Sequence, residues 1–475
     1  MSSVKKNFLY NSMYQILTMI IPLVTTPYIS RVLGPKGIGI YSYAYSIAYY
    51  FVIFVILGLN NYGNRTIAAT KDNKLEMSKN FWNIYVTQFV LGIAAILVYI
   101  LYSIFYSSNP KVSIILGLYV LSSTFDVNWF FYGMEQFKLT VTRNTLIKLS
   151  SVAAIFIFVK SDKDVALYCF IMSLGFLLSQ LIIWPFLIRQ VVFVKPTWAE
   201  AKKHIKPNLM LFTTVIAVSL FKVMDKIMLG FMSEYSQVGF YESSEKVINI
   251  PIAFITALGS VMLPRMTHKV AKGGNQDIRT IRISLIFAMF MASSLCFGIM
   301  GVADVFVPIF YGKGYDLCIS LFMILLPSCI FLAFANVIRT QYLLPHKMDK
   351  AYIVSAFIGA GVNLLVNYLL IPRFAAIGAA IGTLIAEAAV CFYQCYKCRK
   401  QLPIGSFVVE CLPMVLAGLI MFIILKAIKI TALNDIALLS VKVVLGACIY
   451  FATLILLMLI RKKEYKELLS SIYKK

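Results

Sequence analysis

Charge is scarce in this sequence, and long polar segments are missing from it. Only 13% of the 475 residues are Asp, Glu, Lys or Arg, whereas soluble domains contain about 25% of these residues. Between the apolar segments, no polar stretch exceeds about twenty residues. The sequence therefore excludes a sizeable soluble domain.

Motifs that would indicate catalysis or metal binding are also missing. The chain has no nucleophile elbow, no P-loop and no metal-binding helix motif. Cys391, Cys395 and Cys398 are closely spaced, but neither a histidine nor an acidic cluster accompanies them. Cysteine is an ordinary small apolar residue in such segments. We therefore predict no enzymatic activity, no catalytic residues, no metal and no cofactor.

Apolar residues dominate what is present. They make up 60% of the chain, and the mean hydropathy is +0.83. Fourteen apolar segments are each taken as a membrane helix of about 20 residues. The fifth is short and the thirteenth is loosely bounded, so twelve or thirteen spans are alternatives. The predicted fold is an all-α polytopic membrane protein. The fourteen predicted segments are 8–30, 39–63, 81–106, 112–133, 144–159, 165–188, 208–231, 239–263, 283–310, 317–340, 351–371, 377–397, 408–427 and 437–460.

The basic residues are distributed unevenly between the predicted loops. With the N-terminus inside, the cytoplasmic loops and termini hold 30 of the 44 Lys and Arg residues, and the outer side holds 10. Such an excess predicts a membrane protein with both termini in the cytoplasm. The net charge of +24 is then explained by orientation and by anionic lipid headgroups, so nucleic acid is not an expected partner.

Two segments about 200 residues apart resemble each other. RVLGPKGIGIYSYAYSI (31–47) and KIMLGFMSEYSQVGFYESSEKVI (226–248) share a Leu-Gly pair, offset by 196, and a Gly-x-Tyr triplet, offset by 200. Both segments fall at the turn between the first two helices of a predicted half. We predict two six-helix lobes, 1–200 and 201–400, followed by two further helices and a basic tail in 401–475. Because six is even, the two lobes are parallel repeats, a pattern typical of transporters.

Charged residues interrupt two neighbouring segments near the start of the second lobe. Ionisable residues inside a membrane normally face a bundle interior or a watery cavity. On each helix the charges are three or four residues apart, so they share a face. Either a structural ion-pair network or a lining of a transport pathway would explain them. The six residues are Lys222, Asp225, Lys226, Glu242, Glu245 and Lys246.

Four more charges lie within predicted spans. Lys148 and Asp304 are near span ends, from which their side chains can reach the interface. Asp126 and Glu387 lie deeper. Each of these two is either a hydrogen-bonded packing residue or a carrier of a coupling ion.

Prolines and tyrosines mark the first two segments. Pro22 and Pro27 are expected to interrupt the first helix, because proline removes a backbone hydrogen bond. The tyrosines of SYAYSIAYYF, in the second segment, offer ring faces and hydroxyls suited to sugars. An interfacial aromatic belt would account for part of this pattern.

Four motifs resemble one family of transporters. They are SRVLGPKGIGIYSYAYSI, FDVNWFFYGMEQFK, DKIMLGFMSEYSQVGFYESSEKV and ADVFVPIFYGKGY, in this order along the chain. The sequence resembles polysaccharide flippases of the Wzx type, within the multidrug/oligosaccharidyl-lipid/polysaccharide exporter superfamily. The resemblance implies export of undecaprenyl-pyrophosphate-linked oligosaccharide repeat units by alternating access, driven by an H⁺ or Na⁺ gradient, with a polysaccharide polymerase as a further partner.

The resemblance also implies a set of site residues. Related flippases use basic side chains near the first two helices and the seventh, since an anionic pyrophosphate needs cationic partners in a cavity. The expected substrate-binding residues are Arg31, Arg65, Lys222, Lys226 and Lys246. Interfacial roles are an alternative for Arg31 and Arg65. The expected ion-coupling or ion-pairing residues are Asp126, Asp225, Glu245 and Glu387.

Two other functions compete with a flippase. A drug or cation antiporter of the MATE type commonly has twelve helices, and a cationic cluster argues against cationic cargo. A membrane glycan polymerase or transferase would be expected to have large outer loops with acidic or histidine residues, whereas the outer loops here are short. A lipid-linked oligosaccharide flippase is therefore the preferred prediction.

Overall fold

The computed structural model describes residues 3–271, 278–428 and 433–460. Within its helices, the side chains of residues 3–13, 15, 16, 19, 214, 217, 218 and 220–222 lie outside the description. All regular secondary structure in the described ranges is helical. The α-helices are α1 (Ser3–Ile56), α2 (Leu59–Thr70), α3 (Lys74–Phe105), α4 (Pro110–Thr124), α5 (Asn128–Gly133), α6 (Phe137–Phe158), α7 (Val165–Leu181), α8 (Trp184–Ile188), α9 (Trp198–Met232), α10 (Tyr235–Ala271), α11 (Ile278–Tyr311), α12 (Asp316–Leu325), α13 (Ser328–Ile338), α14 (Asp349–Cys398), α15 (Ile404–Ala427) and α16 (Asp435–Ile460).

The helices confirm an all-α protein with many membrane-spanning segments. Among the described residues, eleven helical stretches are long and apolar enough to cross a membrane. Two of them, Ile20–Thr70 and Asp349–Cys398, have 51 and 50 residues. At 1.5 Å per residue each is about 75 Å long, more than twice the roughly 30 Å hydrocarbon layer. Each is therefore long enough for two spans, and the total of fourteen stays a prediction.

Both long helices change direction at a residue with a positive φ. In α1 the non-helical residue is Gly34, with φ 64° and ψ 178°, and Pro35 starts the next helical segment. Glycine accepts this backbone conformation, and proline fits the first position of a helix. In α14 the break is at Ala375, with φ 47°. Pro22 and Pro27 lie inside α1, where Gly34 is the residue with non-helical dihedrals, so neither proline ends the helix.

A further break separates α1 from α2. Leu57 has a φ of 49°, and the backbone N–H of Gly58 donates to Oδ1 of Asn208 in α9 at 2.9 Å. A Cβ at Gly58 would lie 2.6 Å from the backbone oxygen of Asn208, so α9 approaches this break closely. The amide side chain thus replaces a hydrogen bond that the helix no longer supplies.

Residues Met1–Glu242 form one compact unit of the chain. Near the α1–α2 break its core combines aliphatic and aromatic side chains, with Phe81 stacked on Trp129 at 5.4 Å between ring centroids. The core between α1, α3, α4 and α7 contains buried Tyr99, Leu116 and Val120. The loops next to the first of these cores carry many lysines and arginines, and we call this end of the unit the basic end.

Residues Ser243–Lys475 form the other compact unit. Within it α11 packs against α15 and α16, and the hydroxyl of Tyr450 donates to the Phe290 carbonyl at 3.2 Å. The side chain of Asn336 donates to the Ile255 carbonyl at 2.9 Å and ties α13 to α10. The division into lobes 1–200 and 201–400 with an appended 401–475 stays a prediction.

Candidate functional site

Charged residues of α9 and α10 form a cluster with α1. Nζ of Lys226 lies 3.0 Å from Oε2 of Glu242, and the two side chains are 14% and 17% exposed. The hydroxyl of Ser42 donates to the same carboxylate oxygen at 2.9 Å. Because both ions have lost most of their water, each depends on the other for compensation. We call Ser42, Lys226 and Glu242 the lysine–glutamate cluster.

These three residues meet because they lie at similar distances from the turns that end their helices. Ser42 comes eight residues after Gly34, Lys226 six residues before Met232, and Glu242 seven residues after Tyr235. At 1.5 Å per residue, these separations correspond to about 12, 9 and 10 Å. We call the end of the unit that holds these turns the turn end.

Asp225 belongs to a second polar contact of the same helices. It is 3% exposed, and the hydroxyl of Tyr241 donates to its Oδ2 at 2.6 Å. Asp225 and Tyr241 each precede a member of the lysine–glutamate cluster by one residue. Successive helical residues point about 100° apart, so α9 and α10 are linked by two polar contacts on different faces.

Two glycines bring α1 and α10 together between this cluster and the turns. A Cβ at Gly39 would overlap the carbonyl oxygen of Tyr235, and a Cβ at Gly239 would overlap that of Pro35. Backbones approach this closely only where side chains are absent. The contact is reciprocal, since Pro35 and Tyr235, like Gly39 and Gly239, differ by 200 in number, which is the offset of the sequence repeat.

The tyrosines of α1 pack mainly on aromatic residues of the same unit. Tyr45 stacks on Tyr119 of α4 with ring centroids 5.0 Å apart, and their hydroxyls are 3.4 Å apart. Tyr41 contacts Tyr168 of α7 edge-on at 4.9 Å. These rings are half-buried or buried, so their faces contribute to helix packing.

A separate polar network lies at the basic end. Oδ1 of Asp126 accepts hydrogen bonds from the backbone and side-chain nitrogens of Asn128, at 2.9 and 2.7 Å. Nη2 of Arg143 donates to Oδ1 of Asn128 at 2.7 Å and to Oδ1 of Asn144 at 2.7 Å. Among the described residues, Nη1 of the buried Arg143 has no hydrogen-bond partner. Asp126 is thus connected to a guanidinium through an amide, in the break between α4 and α5.

The other predicted site residues lie on four helices, α1, α2, α10 and α14, apart from Lys222 on α9. Arg31 is exposed, and its Nη1 donates to the Pro27 carbonyl at 2.8 Å. Arg65 is exposed on α2. In the second unit, Glu245 and Lys246 are half-buried on α10, and Glu387 is buried in α14. Lys222 lies on α9, and its side chain is outside the described residues.

The two charges expected near span ends have partners within their units. Nζ of Lys148 lies 5.0 Å from the ring centroid of Tyr14, a separation compatible with a cation–π contact. Asp304 forms an ion pair with Lys426 of α15. Among the described residues, no group of three potential metal ligands comes together.

Sequence reasoning missed Arg143, Asn128, Tyr241 and Ser42 as members of polar sites. Arg143 stands directly before the predicted span 144–159, where basic residues usually face headgroups, and Asn144 is the first residue of that span. Their adjacency was the available signal, together with an Asn two residues after Asp126. Ser42 and Tyr241 needed the contact between helices, which a single sequence does not supply.

A family model for polysaccharide biosynthesis proteins matches residues 4–269, which is more than half of the chain. The chain belongs to this family. The matched region includes the lysine–glutamate cluster, the glycine contact and the network around Arg143.

Two relatives of this family member carry names that refer to glycan transport. A protein of Escherichia coli (strain K12) named as an O-antigen transporter is 25% identical over 394 residues, covering 82% of this chain and 95% of that protein. A Haloferax volcanii protein named as the low-salt glycan biosynthesis flippase Agl15 is 22% identical over 332 residues, covering 70% of each chain.

Solved structures establish the fold of this family member. The lipid II flippase MurJ in its inward closed conformation superposes with a TM-score of 0.77, covering 95% of this chain and 99% of that one at 15% identity. An inward-facing MATE transporter of the MOP superfamily gives a TM-score of 0.56, with 87% of this chain covered at 12% identity. The chain therefore has a MurJ-like and MATE-like transporter fold.

Proposed function

We propose that the protein is a flippase that moves lipid-linked oligosaccharide repeat units across the bacterial cytoplasmic membrane for assembly of surface polysaccharide. Family membership, the names of the relatives and the MurJ-like fold support this proposal. The observation that carries it is the lysine–glutamate cluster, in which a lysine, a carboxylate and a hydroxyl from the predicted spans 39–63, 208–231 and 239–263 are in contact. An anionic headgroup crossing a membrane needs such cationic partners.

Lys226 is proposed to exchange partners during transport. In this structure its ammonium is bonded to Glu242, so a pyrophosphate oxygen would replace the carboxylate oxygen at similar geometry. A lysine can do this because its ammonium is a compact charge on a flexible stem. Arg31, Arg65, Lys222 and Lys246 are proposed as further contacts for the headgroup in an alternating-access cycle. The undecaprenyl tail remains in the hydrocarbon.

Ion coupling is proposed to follow from the same exchange. When Lys226 turns to phosphate, Glu242 keeps the Ser42 hydroxyl but loses its paired cation. A carboxylate at this depth then needs neutralisation, which a proton or Na⁺ would provide. Asp126, Asp225, Glu245 and Glu387 are the other proposed ion-coupling or ion-pairing residues. A polysaccharide polymerase is the proposed receiver of the translocated repeat unit.

The test uses a pair of charge-neutralising substitutions. Lys226→Gln alone removes the ammonium that lies 3.0 Å from Glu242, whereas Lys226→Gln with Glu242→Gln removes both charges. We expect the double variant to reach normal abundance in the membrane yet to abolish polysaccharide production in a flippase-deficient strain. Lipid-linked repeat units should accumulate in the inner leaflet. The matched control is Lys71→Gln with Glu135→Gln, an exposed pair at 3.0 Å, which should retain full production.

The position of Lys226 also allows a graded result. Lys226→Arg keeps the charge and changes its geometry, so we expect partial polysaccharide production. Full production by the double glutamine variant at normal abundance would assign the cluster to structure alone. Protection against cationic drugs without any effect on polysaccharide would instead favour an antiporter.

A further inference from the structure

A groove lies between α1, α3 and α9 in the first unit. Its volume is about 530 Å³, within the range of small-molecule sites. Apolar side chains form most of its wall, including Phe51 and Phe54 of α1, Leu91 and Ala94 of α3, and Leu209 of α9. Because α1 and α3 are long and apolar enough to cross a membrane, and 208–231 of α9 is a predicted span, a hydrocarbon chain is the occupant that matches this wall.

The polar residues in the wall are largely engaged by the protein. Nε2 of Gln88 donates to the carbonyls of Ser123 and Asp126, both at 2.8 Å. Asn208 accepts the Gly58 N–H at 2.9 Å, and Nδ1 of His204 lies 2.7 Å from the Tyr62 hydroxyl. These three groups are satisfied within the unit, whereas Oγ1 of Thr87, also in the wall, has no hydrogen-bond partner among the described residues. The wall therefore makes little demand for a polar occupant beyond this one hydroxyl.

The groove is longer than one leaflet of a bilayer. Along α3 its wall runs from Ile84 to Val98, a separation of fourteen residues. At 1.5 Å per residue this is about 21 Å, whereas half of the hydrocarbon layer is about 15 Å. A phospholipid acyl chain occupies a single leaflet, so the length of the groove favours a longer chain.

One end of the groove leads to lysines. Ile205 and Leu209 line the groove and also a second depression that contains Lys202 and Lys206. Both lysines are exposed. Lys202 lies three residues before Ile205 and Lys206 three residues before Leu209, so they share a face of α9. This is the basic end of the unit, which the charge distribution places on the cytoplasmic side. A lipid in the groove would therefore have its headgroup beside cationic side chains.

We propose that this groove binds the polyprenyl chain of a lipid-linked pyrophosphate in the cytoplasmic leaflet, with the pyrophosphate at Lys202 and Lys206. The inference rests on the proposed function for the identity of the lipid, and it adds a docking position outside the lysine–glutamate cluster. The long apolar wall would bind the polyprenyl chain, and the two lysines would bind the negatively charged pyrophosphate. The lipid would be held here before its headgroup enters the transport pathway.

The first experiment places a photo-crosslinking residue in the groove of the full-length protein. p-Benzoylphenylalanine replaces Phe54, which lines the groove, or Phe105, which is exposed on α3 outside it. The protein is reconstituted in phosphatidylcholine nanodiscs that contain undecaprenyl pyrophosphate. We expect the lipid to crosslink at position 54 and not at position 105. An excess of phosphatidylglycerol should leave the crosslink intact.

The second experiment changes the groove and the lysines separately. Ala94→Trp fills the groove and should abolish the crosslink at position 54, whereas Leu101→Trp, on α3 outside the groove, should preserve it. Lys202→Gln and Lys206→Gln should each weaken crosslinking of undecaprenyl pyrophosphate about fivefold. Neither lysine substitution should alter crosslinking of undecaprenol, which has no phosphate.

Three results would overturn the proposal. Displacement by phosphatidylglycerol would make the groove a site for bulk phospholipid. Equal crosslinking at positions 54 and 105 would mean that no docking position exists, and unchanged crosslinking with Ala94→Trp would place the lipid elsewhere. The readout is binding, so a failure of the wild-type chain to restore polysaccharide would refute the proposed function without deciding this test.

Discussion

One carboxylate oxygen at the turn end contacts both a lysine and a serine. Oε2 of Glu242 accepts from both Lys226 and Ser42. In the proposed exchange, the Ser42 hydroxyl would stay on the carboxylate when Lys226 moves to the pyrophosphate. The spacing of charges on α9 and α10 predicted that these two helices present polar faces near the same depth. It did not predict which lysine pairs with Glu242, because rotamers and helix rotation decide that contact. The ion-coupling or ion-pairing role expected of Asp225 stays a prediction.

The hydroxyl of Tyr241 is expected to stabilise the fold. Tyr241→Phe removes a 2.6 Å hydrogen bond to the buried Asp225, and hydrogen bonds to charged groups contribute about 1.5–3 kcal/mol. The purified variant should therefore have a lower melting temperature, whereas Tyr106→Phe, at an exposed position, should not. In combination with Asp225→Asn the two effects should be less than additive. Strict additivity would show that the hydroxyl and the carboxylate do not interact energetically.

Interruptions of helices are the features that the sequence predicted least well. The apolar segment 112–133 is split into α4 and α5, because Oδ1 of Asp126 captures the Asn128 N–H and competes with the helical bond. The predicted span 317–340 is likewise divided at Pro327. The long apolar segments predicted where the helices lie, because the bilayer thickness sets the length of a membrane-spanning helix. Local side-chain hydrogen bonds and glycine conformations set the breaks, and hydropathy carries no information on them.

The close approach of α1 and α10 should tolerate no added side chain. Gly39→Ala and Gly239→Ala would each place a Cβ against a backbone oxygen that cannot move independently. Overpacking of this kind costs about 1–3 kcal/mol, so we expect a lower melting temperature and reduced polysaccharide production. Gly361→Ala is the matched control, because a Cβ there has no neighbour within 4 Å. Equal melting temperatures for all three variants would contradict the contact.

At the scale of the whole molecule, charge and hydropathy carry most of the predictive information. The net charge of +24 is concentrated in loops that alternate with apolar segments, and eleven of the described helical stretches are long and apolar enough to cross a membrane. The compact units divide at residue 242, while the sequence repeat suggested 200. The compact units are defined by which helices contact each other, whereas the lobes are defined by sequence similarity. The two boundaries therefore need not coincide.

Cysteine labelling tests the predicted orientation. Residues 64–80 and 189–207 and both termini are expected in the cytoplasm. Asp72→Cys and Lys195→Cys place thiols at exposed loop positions, and both should resist membrane-impermeant reagents in intact cells. Lys163→Cys, in the exposed turn between α6 and α7, should react readily. The opposite pattern would invert the topology.

The reciprocal contact between Gly39 and Gly239 has a consequence for the history of the chain. The segment with Pro35 and Gly39 and the segment with Tyr235 and Gly239 contact each other through equivalent residues. Such a contact is the property of an isologous interface in a two-fold symmetric dimer. A shorter ancestor with one copy of this segment would already have carried both sides of the contact. Gene duplication would then have joined two subunits without inventing a new interface, and the paired glycines would be its oldest part.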